Sequence, residues 1–476
     1  MELASELKER IDLILVSLIE HSRTGKPALI VSHYDADGIA SAAIMAKVFS
    51  QLSTPFHIRI VTQLDEALIN ELANAFKNYE LFVFLDMGSG EKELISKRCK
   101  DKKVIIIDHH ELTKESPSNE CIVELNPREF GINGDNEISS SGLVYLIARH
   151  LDVKNVKLAP LAIVGALGDL QDRGEKSRLI SLNLAIAREG MAHNLIKEEI
   201  SLRIFGLRSR PLVECLAKTF DPYIPGLSGN KMACYKFLKN IGIEPEVNGS
   251  LRMFSSLKKE EVRTLVTNLV KYMLEAGLSS KDAESIVGYV YYILNEDPST
   301  PLYDAREYSA LLNACGRMGK YGLGIVLCLG VRGSALNEAI EVWEEYRNRL
   351  AKYLKLIHSR DIVEEYRELY VIRGDIVGME ERISGAIASI TSGIFSEPKV
   401  IVVLAKSERE GFLKVSLRLP EMLKGKVDLG SIVHAISTEV GGSGGGHKVA
   451  AGASIPINKR EEFIERLRDT LAGELL

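Results

Sequence analysis

Apolar residues in the first third of the chain come in short continuous runs, set apart by longer amphipathic stretches. The runs are PALIVS (27–32), FHIRIV (56–61), LFVFLD (81–86) and VIIID (104–108). Most are rich in Val, Ile or Phe, the pattern of strands buried on both faces of a parallel sheet. Residues 39–51, 64–77, 90–100 and 140–150 separate or follow them with helical character. This alternation predicts an α/β fold, a doubly wound parallel sheet. A fifth run, LAIVGALGD (161–169), follows Pro160 and repeats its apolar residues at Leu161, Val164 and Leu167, which predicts a helix ending at Gly168. Ahead of all of these, Leu3, Leu7, Ile11, Leu15 and Leu18 recur among charges and predict an amphipathic helix, not a signal peptide.

A second, smaller α/β pattern occupies residues 373–476. Its strand candidates are 400–407, 412–419 and 449–457, and its helices 383–391, 429–439 and 459–472. Between a helix and a strand lies GGSGGGH (441–447), a predicted loop whose backbone N–H groups can approach a phosphate or base. Alone, such a run reads as a linker; its place inside a compact pattern argues against that. Residues 206–299 show little strand pattern and read as helices, with a clear stripe over 258–277 that ends at Gly277. Residues 335–369 are charged and nearly free of helix breakers, and predict one long connector helix. The expected organisation is 1–205 plus 300–334 as one domain, 206–299 as a helical insertion, 335–372 as the connector and 373–476 as a C-terminal domain.

Composition narrows the function. At 476 residues, 46% hydrophobic and 26% charged, the chain is expected to be a soluble protein of two or three domains. No apolar run approaches the roughly 20 residues of a membrane span, so a cytoplasmic location without membrane contact is expected. Six scattered cysteines lack the spacing of a zinc clip and read as reduced thiols. A net charge of -5 means that any nucleic-acid contact must come from local basic patches. Residues 206–299 hold twelve Lys/Arg and eleven Asp/Glu, so that stretch is not a basic arm.

Four clusters carry the candidate chemistry: SHYDADG (32–38), LDMG (85–88), DHH (108–110) and GDLQD (168–172). Each alone reads as a helix cap or turn. Together they offer His33, Asp35, Asp37, Asp86, His109, His110, Asp169 and Asp172, and His33, Asp35, Asp86, Asp108 and His109 fall at predicted strand ends, where the crevice of a parallel sheet lies. Like charges gathered there need cations to hold them, and more oxygen and imidazole is present than one cation takes. This points to a two-metal site and to phosphoester chemistry.

The ordered set closely resembles the DHH phosphoesterase superfamily, named for the triplet seen here as Asp108-His109-His110. LNACGRMG (312–319) resembles the N-A-x-G-R segment of RecJ-type nucleases, and VSLR (415–418) with GGSGGGH resembles motifs of the associated C-terminal domain. The chain looks most like the archaeal RecJ-like branch. The resemblance implies one cation held by His33, Asp35 and Asp86, and another by Asp37, Asp86, His109 and Asp169, with Asp86 bridging. It implies that Asp108 orients the histidines, that His110 reaches toward the scissile phosphate, and that Asn313 and Arg317 meet the substrate. Arg317 is the candidate cation for the phosphate oxygens. Ser416, Arg418, Gly444, Gly445, Gly446 and His447 are implied to hold a nucleotide. Asp172 has no firm assignment, and a cap of the following turn is its candidate role. The donors suit Mn2+, or Mg2+, better than a thiolate-loving metal.

The implied activity is metal-dependent exonuclease action on single-stranded DNA, with RNA as a further substrate, in replication or repair. Two alternatives stand beside it: a phosphodiesterase for short oligoribonucleotides or cyclic dinucleotides, and a non-catalytic replication factor. In archaeal and eukaryotic relatives a helical insertion at this place docks partners, which implies that 206–299 binds the GINS complex.

Overall fold

Four of the five apolar runs extend as strands and the fifth coils. The computed structural model describes residues 4–112, 121–220, 222–392, 395 and 397–475. In chain order, α1 (Ser5–Ser22) precedes β1 (Ala28–His33), α2 (Ala36–Gln51), β2 (Phe56–Val61), α3 (Glu66–Ala75), β3 (Leu81–Leu85), α4 (Lys92–Arg98) and β4 (Lys103–Ile107). Then come β5 (Ile122–Leu125), α5 (Ser140–Leu151), α6 (Ala159–Gly168), α7 (Ser181–Ala192) and β6 (Ile196–Leu202). The fifth apolar run is α6, as Pro160 in its first turn requires.

The first sheet has the order β2-β1-β3-β4-β5, and every pairing in it is parallel. Leu29, Val31, Phe82, Phe84, Val104 and Ile106 pack on one face with Ile69 and Leu72 of α3 and Ile95 of α4. Burying each such side chain contributes about 1.5–3 kcal/mol. α2 lies on β1 and packs with α5 and α6. Asp35, Asp65 and Ser139 cap α2, α3 and α5 by accepting from backbone N–H groups of the first turn.

Residues 206–299 depart from an all-helical insertion. They hold α8 (Leu212–Lys218), α9 (Lys231–Asn240), a small hairpin of β7 (Glu246–Val247) and β8 (Ser250–Leu251), α10 (Lys259–Glu275) and α11 (Ser280–Glu284). They end in β9 (Val287–Ile293), which pairs antiparallel with β6 from Ile196↔Ile293 to Leu202↔Val287. The run VGYVYYI is β-branched and aromatic, and its register with β6 makes it a return strand to the N-terminal part of the chain, not part of the insertion. α12 (Ala305–Arg317), capped by Asp304, and α13 (Tyr321–Cys328) follow.

The connector is shorter than expected. α14 (Ser334–His358) stops before residue 372: Arg360 turns left-handed at φ 62, and β10 (Val363–Glu365) and β11 (Leu369–Arg373) pair as a hairpin. α15 (Glu381–Thr391), β12 (Val400–Lys406), β13 (Phe412–Arg418), α16 (Leu429–Glu439), β14 (Ser443–His447), β15 (Ala450–Pro456) and α17 (Arg460–Leu475) complete the chain. The second sheet has the order β10-β11-β12-β13-β15-β14. GGSGGGH is therefore no loop: residues 443–447 are an edge strand paired antiparallel with β15.

The chain divides into two compact units, residues 1–209 with 287–343, and residues 210–286 with 344–476. The six cysteines are free thiols, Cys121 exposed and the rest buried. Among the described residues no helix is long and apolar enough to cross a membrane.

Candidate active site

β2 pairs on one side of β1 and β3 on the other, so the chain switches direction across the sheet at β1. Such a switch leaves a crevice beyond the carboxyl ends of the strands. His33 closes β1, Asp86 follows β3, and Asp108, His109 and His110 follow β4. α2 supplies Asp35 as its N-cap and Asp37 in its first turn, and Asp169 sits at the C-terminal end of α6.

Asp86 stands at the centre. Its Oδ2 lies 3.4 Å from His33 Nδ1, which lies 2.8 Å from Asp35 Oδ2. Its Oδ1 lies 3.2 Å from His109 Nε2, which lies 3.2 Å from Asp169 Oδ2. Two ligand groups thus share one carboxylate: His33, Asp35 and Asp86, and Asp37, Asp86, His109 and Asp169, each with its donor atoms within 4.8 Å of one another. Asp86, His109 and His110 make a third such group. The backbone at Asp86 is left-handed, with φ 60. A non-glycine residue there carries about 1–3 kcal/mol of strain, which persists only where the surroundings require it; its N–H is fixed on Ile107 O at 2.9 Å.

The donor set fits divalent cations. Both carboxylate oxygens of Asp86, His33 Nδ1 and His109 Nε2 are buried without a hydrogen-bond partner. Burial raises the Asp37 pKa well above the carboxylate range, with Asp169 and Asp86 adding to the rise. Burial likewise pushes Asp169 up to about 6, against the pull of His109. Burial would lower His33 and His109, but their facing carboxylates overrule it and hold both well above the imidazole range. Burial would raise Asp86, but His109 and His33 bring it down. Without cations, protons on the imidazoles and on Asp37 do the neutralising. Carboxylates and imidazoles with no thiolate suit Mn2+ or Mg2+.

Several of these side chains are held from behind. The first amides of α5 donate to Asp37, Ser140 N at 2.8 Å and Ser141 N at 3.1 Å. Gly165 of α6 backs onto the same carboxylate, and a Cβ there would run into Asp37 and Ser141 Oγ. His109 Nδ1 donates to Gly134 O at 2.6 Å, so Nε2 is the face turned to Asp86. Asp108 accepts from Ser89 N, His109 N and His110 N, and lies 2.7 Å from His110 Nδ1. Burial would lower the His110 pKa, but Asp108 raises it to about 9.

Several supports have no signature in the sequence. Arg128 Nε donates to His109 O at 3.1 Å. Beneath the DHH turn, buried Glu124 pairs with Lys92 at 2.6 Å and accepts from Ser89 Oγ at 2.6 Å, while Asn126 donates to Ser89 Oγ and to His110 O. Glu124 and Asn126 flank the end of β5, the strand the hydrophobic pattern missed.

Other predicted residues are placed differently. Asn313 Oδ1 accepts from Ala36 N at 3.0 Å, so it braces the His33–Asp37 turn. Arg317 lies one helical turn further along the same face of α12. Asp172 is not a turn cap: it pairs with Arg203 and lies 3.6 Å from Arg306 Nη1.

In the second unit, β13, β15 and β14 align Arg418, Ala450 and His447 in one row and Ser416, Gly452 and Gly445 in the next, on one face of the sheet. Gly445 meets nothing within 4 Å, leaving a shallow trough edged by half-exposed Arg418 and exposed His447. Gly444 and Gly446 point the other way: Cβ atoms there would strike Ser437 and Ala453, or the backbone at Ala450 and Ala451. They serve the packing of α16 and β15. Ser416 is buried, with its Oγ 2.8 Å from Ser384 Oγ, which itself donates to Glu381 O. The Ser416 proton is therefore committed to Ser384.

Three family models match the chain: the DHH family, N-terminal domain over residues 27–166, the DHH-CID domain over 204–287 and the DHHA1 domain over 371–473. An uncharacterised protein of Methanocaldococcus jannaschii is 30% identical over 449 residues, 94% of this chain and 93% of that one. The single-stranded-DNA-specific exonuclease RecJ of Bacillus subtilis is 28% identical over 209 residues, 41% of this chain and 25% of RecJ. Among solved structures, CDC45 from Entamoeba histolytica matches with a TM-score of 0.69 at 12% identity, covering 97% of this chain and 98% of its own. RecJ in complex with Mn2+ from Thermus thermophilus matches at 0.57 and 16%, covering 98% of this chain and 55% of RecJ. At those identities the two structures share the fold.

Proposed function

Because the chain belongs to the DHH superfamily as a RecJ-like member, we propose that it is a metal-dependent exonuclease. It hydrolyses phosphodiester bonds of single-stranded DNA, and of RNA, to mononucleotides, in replication or repair. The observation that carries this reading is the single buried carboxylate, Asp86, shared by two complete ligand groups. Two divalent cations held there, Mn2+ or Mg2+, supply positive charge to the phosphoryl oxygens and acidity to water.

The remaining work falls to the chain. His110 Nδ1 is committed to Asp108, so Nε2 is the end that faces substrate. Against the pull of burial, Asp108 raises the His110 pKa, which favours the protonated ring as a donor to a phosphate oxygen. Asp108 keeps that ring in place through its backbone bonds. Arg317 neutralises the non-bridging oxygens, while Asn313 keeps the His33–Asp37 turn in register. On the second unit Arg418 and His447 hold a phosphate, and the Gly445–Gly452 trough, open at Gly445 and edged by Lys414 at Gly452, accepts sugar or base.

The test is end-labelled single-stranded DNA and RNA, each tagged at either terminus, with Mn2+ or Mg2+. Cation-dependent release of mononucleotides is expected, and failure to degrade any strand overturns the reading. Faster turnover of a dinucleotide than of a long strand would make the substrate a short oligonucleotide.

The likeness to CDC45 over nearly the whole chain favours one second reading, a non-catalytic replication factor. Against it stands the full ligand set. The insertion is assigned to GINS binding. A deletion of 210–286 keeps β9 paired with β6; co-elution of that deletion with GINS would remove the assignment.

A further inference from the structure

One buried amide touches none of the ligand oxygens yet joins the elements that carry them. Gln171 lies two positions after Asp169, and both it and Asn183 are fully buried. Gln171 Oε1 accepts from Asn183 Nδ2 at 2.6 Å. Backbone carbonyls, which only accept, face the other end and fix it as nitrogen. The nitrogen then donates to Gly134 O at 2.9 Å and reaches Ile138 O at 3.5 Å.

Both carbonyls matter to the site. Gly134 O also receives the Nδ1 proton of His109, which keeps the Nε2 lone pair turned to Asp86 and Asp169. A carbonyl oxygen only accepts, so His109 cannot hold the opposite tautomer while this bond stands. Ile138 leads straight into Ser139, the cap of α5, whose first amides hold Asp37. Gln171 therefore ties the chain at Asp169 to the carbonyl that orients His109 and to the helix end that seats Asp37. The His33–Asp35 turn is braced separately, by Asp35 capping α2 and by Asn313 on Ala36 N.

We propose that Gln171, held by Asn183, is a positioning residue for one cation site only, the Asp37–Asp86–His109–Asp169 group, and does not serve the His33–Asp35–Asp86 group. This rests on reading the two groups as cation sites.

The test is Mn2+ binding to the metal-stripped full-length chain, followed by calorimetry and by the electron paramagnetic resonance of free Mn2+. The wild type is expected to bind two ions. Gln171→Met keeps length and bulk but has no donor; it should weaken one site by about 10–100-fold and leave the other within about twofold. Asn183→Ser should shift the same site in the same direction by less, and it carries the test alone if Gln171→Met does not fold. Thermal unfolding without metal separates loss of a site from loss of the fold. Two unchanged sites in the variants, or equal weakening of both, overturns the proposal while the two-cation reading stands. A wild type that binds no Mn2+ overturns that reading and the proposal with it.

Discussion

The N-terminal crevice and the open face of the C-terminal sheet treat polar groups in opposite ways. In the crevice Asp37, Asp86 and His109 are buried, each with fixed neighbours behind it, and their carboxylates crowd one another. On the sheet face Arg418 is half-exposed, His447 is exposed and Gly445 looks into open space. The crevice holds its groups rigid, with protons standing in for cations until those arrive. The face offers charge that water can reach. Sensitivity follows burial: removing one member of a buried network strands its partners, whereas removing an exposed cation costs a contact that salt already weakens.

Replacing Asp86 with Ala breaks both ligand groups at once. Turnover of single-stranded DNA should fall by about a thousandfold or more, while binding of the strand, read by fluorescence anisotropy, changes little. Substantial remaining activity would erase the contrast between the two regions and favour the non-catalytic reading for the crevice.

A pH titration comes next. Asp169, pushed up to about 6, keeps its proton in the folded chain after the unfolded chain has released its own. Its contribution to metal-free stability is full at low pH and is lost as pH climbs from about 4 through 6. The raised His33 and His109 carry the same sign to higher pH. Cation binding must displace these protons, so Mn2+ affinity should rise at least about tenfold from pH 5 to 6 and keep climbing. An affinity flat over that range would contradict the crowded, proton-neutralised crevice.

On the other side of the comparison, Arg418→Ala should raise KM for a long strand about tenfold with kcat nearly unchanged, and the effect should shrink in high salt. A fall in kcat alone would mean that the residue acts on the chemistry. Ser416→Ala should matter least. Its proton already goes to Ser384, so affinity for the strand should move less than about threefold while stability drops by about 1 kcal/mol. A large loss of affinity would show that the hydroxyl meets the ligand.

The crevice was legible because its polar residues sit at the ends of apolar runs: His33 closes a strand, and Asp86 and Asp108 each follow one. Pro160 likewise marked the helix that delivers Asp169. What stayed hidden depends on partners far along the chain. The bond from Ala36 N to Asn313 spans 277 residues, and the pairing of Asp172 with Arg203 spans 31. β14 was hidden because glycine disfavours strands, and only the packing of α16 and β15 explains Gly444 and Gly446. The connector helix was drawn too long because a charged run continues past His358, while the left-handed Arg360 that ends it has no side-chain signature. Gln171 lies inside GDLQD, yet its use of both amide ends shows only once Gly134 and Asn183 are in place.

The most direct test of the central claim is a crystal of the full chain soaked in Mn2+, with anomalous scattering recorded at the manganese edge. The account predicts two peaks that share Asp86, one against His33 and Asp35, the other against Asp37, His109 and Asp169. A single peak, or two that do not share Asp86, would contradict it.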